Sequence, residues 1–222
     1  MRVFVYVEGP GDRAALEALL RPIVDRGSER GVGIRFLPLG GKAAILNDVG
    51  RKAADQIFEK QDDWVIALPD LYPMATFAET RNAHRSFEDL RALLLSRFSE
   101  RADRLGLPEQ LRNQFRVHCL KHDLEALILA APEVLRQRLR TDDALRNRWR
   151  LPVEEQNDEQ PPKRIVTDLF AHYRQKPVYG PTIDAPWILA RASLDTVKLA
   201  CPQQFAPFVA ELERIINDRA PG

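Results

Sequence analysis

The sequence predicts an α/β fold: a mostly parallel sheet of about four strands flanked by helices, with a helical C-terminal cap. Three observations predict it. RVFVYVE, residues 2–8, is a near-continuous apolar run, the pattern of a strand covered on both faces. Further short apolar runs alternate with segments of helical spacing, and the order βαβαβαβα argues for a parallel sheet with right-handed crossovers. From about residue 141 the strand-like runs stop and only helical segments broken by Pro and Gly remain.

Each element has its own signal. After the first strand, Ala15, Leu16, Leu19, Leu20, Ile23 and Val24 recur at helical spacing, and Gly27 reads as the stop. VGIRFLPL, 32–39, is the second strand; Gly40-Gly41 then opens a helix over KAAILNDVGRKAADQIFEK. DWVIALPD, 63–70, is the third strand and ends on Asp70. The irregular LYPMATFAETRNAH leads to a long helix at about 85–105. FRVHCL, 115–120, is the fourth strand, and KHDLEALILAAPEVLRQRL turns helical at once. Residues 1–140 thus read as one α/β domain. Residues 141–222 read as a helical extension packed on it, with helices near 163–174, 185–199 and 204–217 after a polar loop.

With 222 residues and 45% hydrophobic content, the chain can bury a sizeable core. Thirty-three Lys+Arg against 32 Asp+Glu leave a formal net charge of +1, so any nucleic-acid binding needs a local basic patch. Cys119 and Cys201 lie in no CxxC pair and read as reduced thiols of a cytosolic protein. No apolar run approaches the ~18 residues of a membrane span. The N-terminal apolar stretch is too short for a signal peptide and ends in Glu rather than a small-residue cleavage site. Trp64, Trp149 and Trp187 are scattered, which suggests packing rather than a base-stacking platform.

The chemistry lies at the strand ends, where open parallel sheets place their ligand sites. Those ends carry Glu8, Asp70 and the group His122-Asp123-Glu125, while the second strand ends in Gly40-Gly41-Lys42. Buried carboxylates that share a site cannot all stay ionised without a cation. Oxygen ligands with little histidine or sulfur suit Mg²⁺ or Mn²⁺. Plainer readings stand beside this one. Glu8 can accept turn amides, Asp12 can cap a helix beginning near Arg13, Asp70 can be a turn residue and Asp123 an N-cap. His122 can ligate, act as acid or base, or hydrogen-bond locally. Gly9-Pro10-Gly11 is no Walker loop, and Gly41-Lys42 reads by default as a turn with an exposed lysine. Lys163 and Arg164, after Pro161-Pro162, sit in a loop able to reach a phosphate backbone. Arg146, Arg148 and Arg150 of the preceding helix share that reach, or form a solvated face.

VEGPGDRAALEALL resembles the first motif of TOPRIM domains, the metal-binding modules of topoisomerases, primases and nucleases; Glu8 takes the place of the strand-terminal glutamate. Glu8-x-x-x-Asp12 also resembles the acidic pair in the TOPRIM module of OLD-type nucleases. The third-strand Asp-x-Asp of TOPRIM proteins is here Asp70-Leu71-Tyr72, without the second aspartate. Nearly the whole chain resembles one TOPRIM-like group, domain-of-unknown-function family 4276. The resemblance rests on VEGPGD, the GG after strand two, the D-x-Y of LPDLYPM, KHDLEALILAAPE, PPKR and ACPQQFAPFVAELE. GPGD departs from the more usual GxTE, and KHDLE from LHEFE.

The resemblance implies a phosphodiester-cleaving or nucleic-acid-related role, beside an SMC/ABC-type ATPase in phage defence; together with the acidic strand ends it points to a Mg²⁺- or Mn²⁺-dependent nuclease acting on DNA or RNA. Glu8 would be a metal ligand or general base and Asp70 the principal ligand. Asp12, Asp123 and Glu125 would serve a second metal or the outer shell. Lys163 or Arg164 would steady the scissile phosphate. The missing second aspartate and the near-zero net charge also accommodate a non-catalytic binding or regulatory subunit.

Overall fold

The computed structural model describes residues 1–145, 148–156, 159–174 and 178–219. Its centre is a four-stranded parallel sheet of β1 (Arg2–Val7), β2 (Gly33–Pro38), β3 (Trp64–Ala67) and β4 (Phe115–Val117), in the order β2-β1-β3-β4. All four strands point the same way, so their carboxyl ends share one edge. β1 alternates as its apolar run requires: Val3, Val5 and Val7 join the core on one face, Phe4 and Tyr6 the core on the other.

One face is covered by α3 (Lys42–Glu59) and α4 (Phe87–Leu105). Ser86 caps α4 by accepting the Asp89 N–H, and Gly106 closes it in the left-handed region at φ 65°. The other face carries α1 (Pro10–Leu19), α2 (Arg21–Glu29), α6 (Glu125–Leu129), α7 (Pro132–Leu139), α8 (Pro162–Arg174), α9 (Pro181–Leu189), α10 (Leu194–Ala200) and α11 (Phe205–Asn217). The short α5 (Glu109–Arg112) precedes β4. Phe205, Phe208, Leu212 and Ile216 of α11 share one core with Val3 and Val5, and α9 packs along α1.

Several boundaries differ from the sequence reading. The first helix is two: α1 ends at Leu19, and Pro22 in the first turn of α2 lacks the N–H that a continuous helix would need. Gly27 lies buried within α2 rather than ending it. KHDLEALILAAPEVLRQRL also splits, with Pro132 opening α7. The segment 185–199 divides into α9 and α10, where Ser193 caps α10. β3 and β4 are shorter than their apolar runs, although an isolated parallel bridge, Asp70 with Leu120, prolongs their pairing to the edge.

Among the described residues no helix is long and apolar enough to cross a membrane. Both cysteines are buried free thiols, and burial pushes both pKa values up. Trp64 stacks against Arg116 and Arg214, and Trp187 against Arg138 and Arg191, so both indoles are spent on packing.

Candidate functional site

The carboxyl edge of the sheet is built around the backbone of Glu8. Its carbonyl accepts the N–H groups of both Gly40 (3.0 Å) and Gly41 (2.7 Å). Two consecutive amides converge on one oxygen because Gly40 and Gly41 adopt φ 86° and 110°, where a side chain would be strained. The Glu8 side chain turns to the next strand, and Oε1 accepts the Asp70 N–H at 3.0 Å. Asp70 is held from its other side, since the following Leu71 N–H donates to Leu120 at 2.7 Å. The ends of β1, β2, β3 and β4 are thus stitched into one rim.

Asp12 joins this rim from α1. The helix begins at Pro10 with Gly9 at the N-cap, three residues earlier than the cap reading of Asp12 places it. Asp12 sits in the first turn and accepts the Gly9 N–H at 2.7 Å. Asp123 does not cap α6 either: Leu124 takes that position, and the Asp123 carbonyl accepts the Ala126 N–H. The Asp123 carboxylate instead accepts the Lys163 N–H and lies beside Glu125, with Oδ1 buried and unpartnered.

The electrostatics follow from this crowding. Burial raises the pKa of Glu8, opposed by the Asp70 hydrogen bond and by Lys42. Burial raises Asp12 as well, with Glu125 adding to it. Asp70 is raised well above the usual carboxylate range, first by burial and then by Glu8, Asp12 and Asp123. Asp123 is pushed up to about 7 by burial and by Glu125. Burial is the first cause for all four, and their crowding about Asp70 makes a site whose ionisation a cation would favour. Among the described residues no group of three or more His, Cys, Asp or Glu side chains is placed to hold a metal ion. The donors fit a hard ion that keeps several waters, and the buried, unpartnered Asp123 oxygen is suited to that shell.

From Val7 onward the chain matches a known family, described as "Domain of unknown function (DUF4276)", over residues 7–213. The chain belongs to this family. Among solved structures it is similar to the C-terminal region of the OLD protein of Xanthomonas campestris pv. campestris. The platinum-phased structure is 18% identical over 98% of this chain and 93% of that one, with a TM-score of 0.47. The iodine-phased structure is 17% identical over 97% and 94%, with a TM-score of 0.45. No curated protein matches it.

In this DUF4276 chain the remaining candidates divide. Lys163 is within electrostatic reach of Glu8, Asp12 and Asp123, and sits in the first turn of α8 rather than in a loop. Arg164, one residue on, is exposed and turned to Asp168 and the Glu159 carbonyl. Arg148 faces Asp143 and the Tyr173 ring, α7 ends at Leu139, and Arg146 lies outside the described residues. His122 is buried and stacks on Tyr72, with centroids 5.1 Å apart and planes 18° from parallel. Tyr72 stands where Asp-x-Asp would have its second acid, and it is engaged in that stack.

Lys42 is buried, not exposed. Its ammonium donates to the Leu71 carbonyl at 2.7 Å and the Pro73 carbonyl at 3.3 Å. Sequence reasoning missed Tyr179, a buried phenol whose pKa is pushed up by burial and by Glu125. Its neighbour Gly180 is pinned by Asp184, which accepts the Gly180 N–H at 2.7 Å and two bonds from Arg138 at 2.8 and 2.6 Å. No spacing relative to the acidic motifs announces Tyr179.

Proposed function

We propose that this chain is a Mg²⁺- or Mn²⁺-dependent nuclease of TOPRIM type that hydrolyses phosphodiesters of DNA or RNA. The observation that carries the reading is the gathering of the buried acids Glu8, Asp12, Asp70 and Asp123 at the carboxyl edge of the sheet, where Glu8 accepts the Asp70 N–H and Asp70 is raised by burial and by the other three, with Lys163 beside them.

Glu8 and Asp70 would hold the ion, with Asp12, Asp123 and Glu125 around it. A bound ion would supply charge for a phosphodiester oxygen and lower the pKa of a bound water. Glu8 is buried, raised and fixed by the Asp70 N–H, which suits it either to ligate or to accept a proton from water. Lys163 supplies positive charge where the substrate phosphate would sit. Lys42 offsets the carboxylates from the β2 side. Nucleic acid is the implied partner, and the family resemblance adds an SMC/ABC-type ATPase and a role in phage defence.

A cleavage assay on DNA and RNA with Mg²⁺ or Mn²⁺ tests the reading. Wild-type protein cleaves, while Glu8→Gln and Asp70→Asn lose activity by about a hundredfold or more. Wild-type activity in both variants rules the mechanism out. The stacking of Tyr72 on His122 favours one second reading, a non-catalytic subunit working with such an ATPase. That reading predicts no cleavage by the isolated chain and no rise in melting temperature with Mg²⁺, Mn²⁺ or nucleic acid.

A further inference from the structure

The outer edge of β4 lies unpaired on the floor of a groove. β4 ends the sheet and pairs only with β3, in the register Val65↔Phe115 and Ala67↔Val117. The Val65 N–H donates to the Gln114 carbonyl and the His118 N–H to the Ala67 carbonyl, both at 2.9 Å. In a parallel ladder of this phase Arg116 spends both of its backbone groups on β3, while Phe115 and Val117 turn theirs outward. Among the described residues nothing pairs with those two N–H groups and two carbonyls. Phe115 is 1% exposed and Val117 6%, so water is largely shut out as well. Buried backbone groups left in this way are costly. The opposite edge strand, β2, carries Pro38 in its outward row, which has no N–H to offer; the outward row of β4 has no such block.

A cavity of about 800 Å³ runs along this edge. Leu95 and Phe98 of α4 wall it on one side, and Gln204, Pro207 and Glu211 at the start of α11 on the other. Helices from both faces of the sheet thus stand beyond β4 and hold off a second copy of the sheet with helices of its own. A single extended segment fits between them, since neighbouring strands lie only ~4.8 Å apart. Its side chains would alternate as those of β4 do. Those level with Phe115 and Val117 meet the apolar wall of α4. Those level with Arg116 and His118 meet the polar wall, where Arg116 donates to Glu211 at 2.8 Å. Glu88 and Arg91 are exposed on the α4 lip, and among the described residues neither makes an ion pair, so one charge of each sign is open to a complementary partner.

We propose that β4 is a docking edge for an extended segment of a partner polypeptide, which adds to the sheet beside Phe115 and Val117, apolar at alternate positions towards α4 and polar towards α11. Main-chain hydrogen bonds to the outward groups of Phe115 and Val117 hold the segment, and the two unlike walls set which of its faces points where. The docking does not depend on the metal reading of the carboxylate rim.

A capped peptide of about six residues, alternating valine with serine, lysine and glutamate, is the probe. It is titrated into the full chain and followed by fluorescence anisotropy and by amide exchange in nuclear magnetic resonance. The peptide binds below about 1 mM and slows exchange of the Phe115 and Val117 amides about tenfold or more. Val117→Pro removes one outward N–H and no bond to β3, so it folds and loses about tenfold or more in peptide affinity. Methylating every second peptide nitrogen separates the two edges of the added strand. One phase of methylation abolishes binding and the other leaves it intact.

A wild-type chain that does not bind at about 1 mM overturns the proposal. So does binding that the two methylation phases alter alike, or protection that spares Phe115 and Val117, because the peptide then sits elsewhere. A folded Val117→Pro protein that binds as the wild type does is equally contrary. If Val117→Pro does not fold, Leu95→Glu decides beside the methylated pair: it places a charge on the apolar wall and must lose binding.

Discussion

The Asp70 N–H donates to Glu8 Oε1 at 3.0 Å, so the carboxylate that closes β1 is fixed by the residue that follows β3. Two acids far apart in sequence share one rim because β1 and β3 are parallel neighbours. Their proximity is a cost to the folded protein, and the cost has measurable consequences.

Without metal, Asp70→Asn stabilises the fold. The substitution keeps the backbone N–H that Glu8 accepts and removes a carboxylate raised by burial and by Glu8, Asp12 and Asp123. A gain of about 1 kcal/mol is expected in urea denaturation with chelator present. Saturating Mn²⁺ reverses the order, because the wild type gains binding free energy that the variant lacks.

Much of this rim is legible in the sequence. A continuous apolar run ending in Glu8, a second ending near Asp70 and a third before Asp123 leave few placements for a parallel sheet. The helix breaks are harder to read. Leu16, Leu19, Leu20 and Ile23 keep one helical phase across the junction of α1 and α2, so periodicity conceals the break that Pro22 marks. Lys42 is misread for a physical reason: a lysine after two glycines is ordinarily solvated, and its burial is decided by the Leu71–Pro73 carbonyls, which only the tertiary fold brings to it. Tyr179 reaches the site through the packing of α9 on α1, a contact with no local signature.

Gly50→Ala separates local propensity from packing. Alanine in mid-helix normally gains about 1 kcal/mol over glycine. Here a Cβ would lie 2.7 Å from the Phe98 backbone nitrogen, where α3 meets α4. Net destabilisation of about 1–3 kcal/mol is expected. A rise in melting temperature contradicts this packing.

Asp184→Ala costs about 3 kcal/mol, because it leaves Arg138 and the Gly180 N–H without their buried acceptor. Asp168→Ala removes an exposed ion pair with Arg164 and changes stability by less than about 0.5 kcal/mol. Chemical denaturation of the two variants side by side measures the contrast.

His118 sets part of the acid limit of stability. Burial lowers its pKa to about 4, opposed by Glu211 and helped by Arg91 and Arg116, and its ring packs 5.9 Å from that of Phe208. In the unfolded chain it titrates near 6.5. As pH falls between these values the unfolded state binds the proton first. The contribution is therefore complete above about 6.5 and is lost as pH drops towards 4. Between pH 7 and 4.5 the wild type should lose about 2 kcal/mol more than His118→Phe. Parallel pH profiles would contradict the burial of the neutral ring.

The most direct test of the central claim is a crystal of the protein soaked in Mn²⁺ and measured at the manganese absorption edge. The account predicts an anomalous peak within ligand distance of Glu8 and Asp70. A saturated crystal with no manganese at that rim, or with manganese bound only elsewhere, contradicts it.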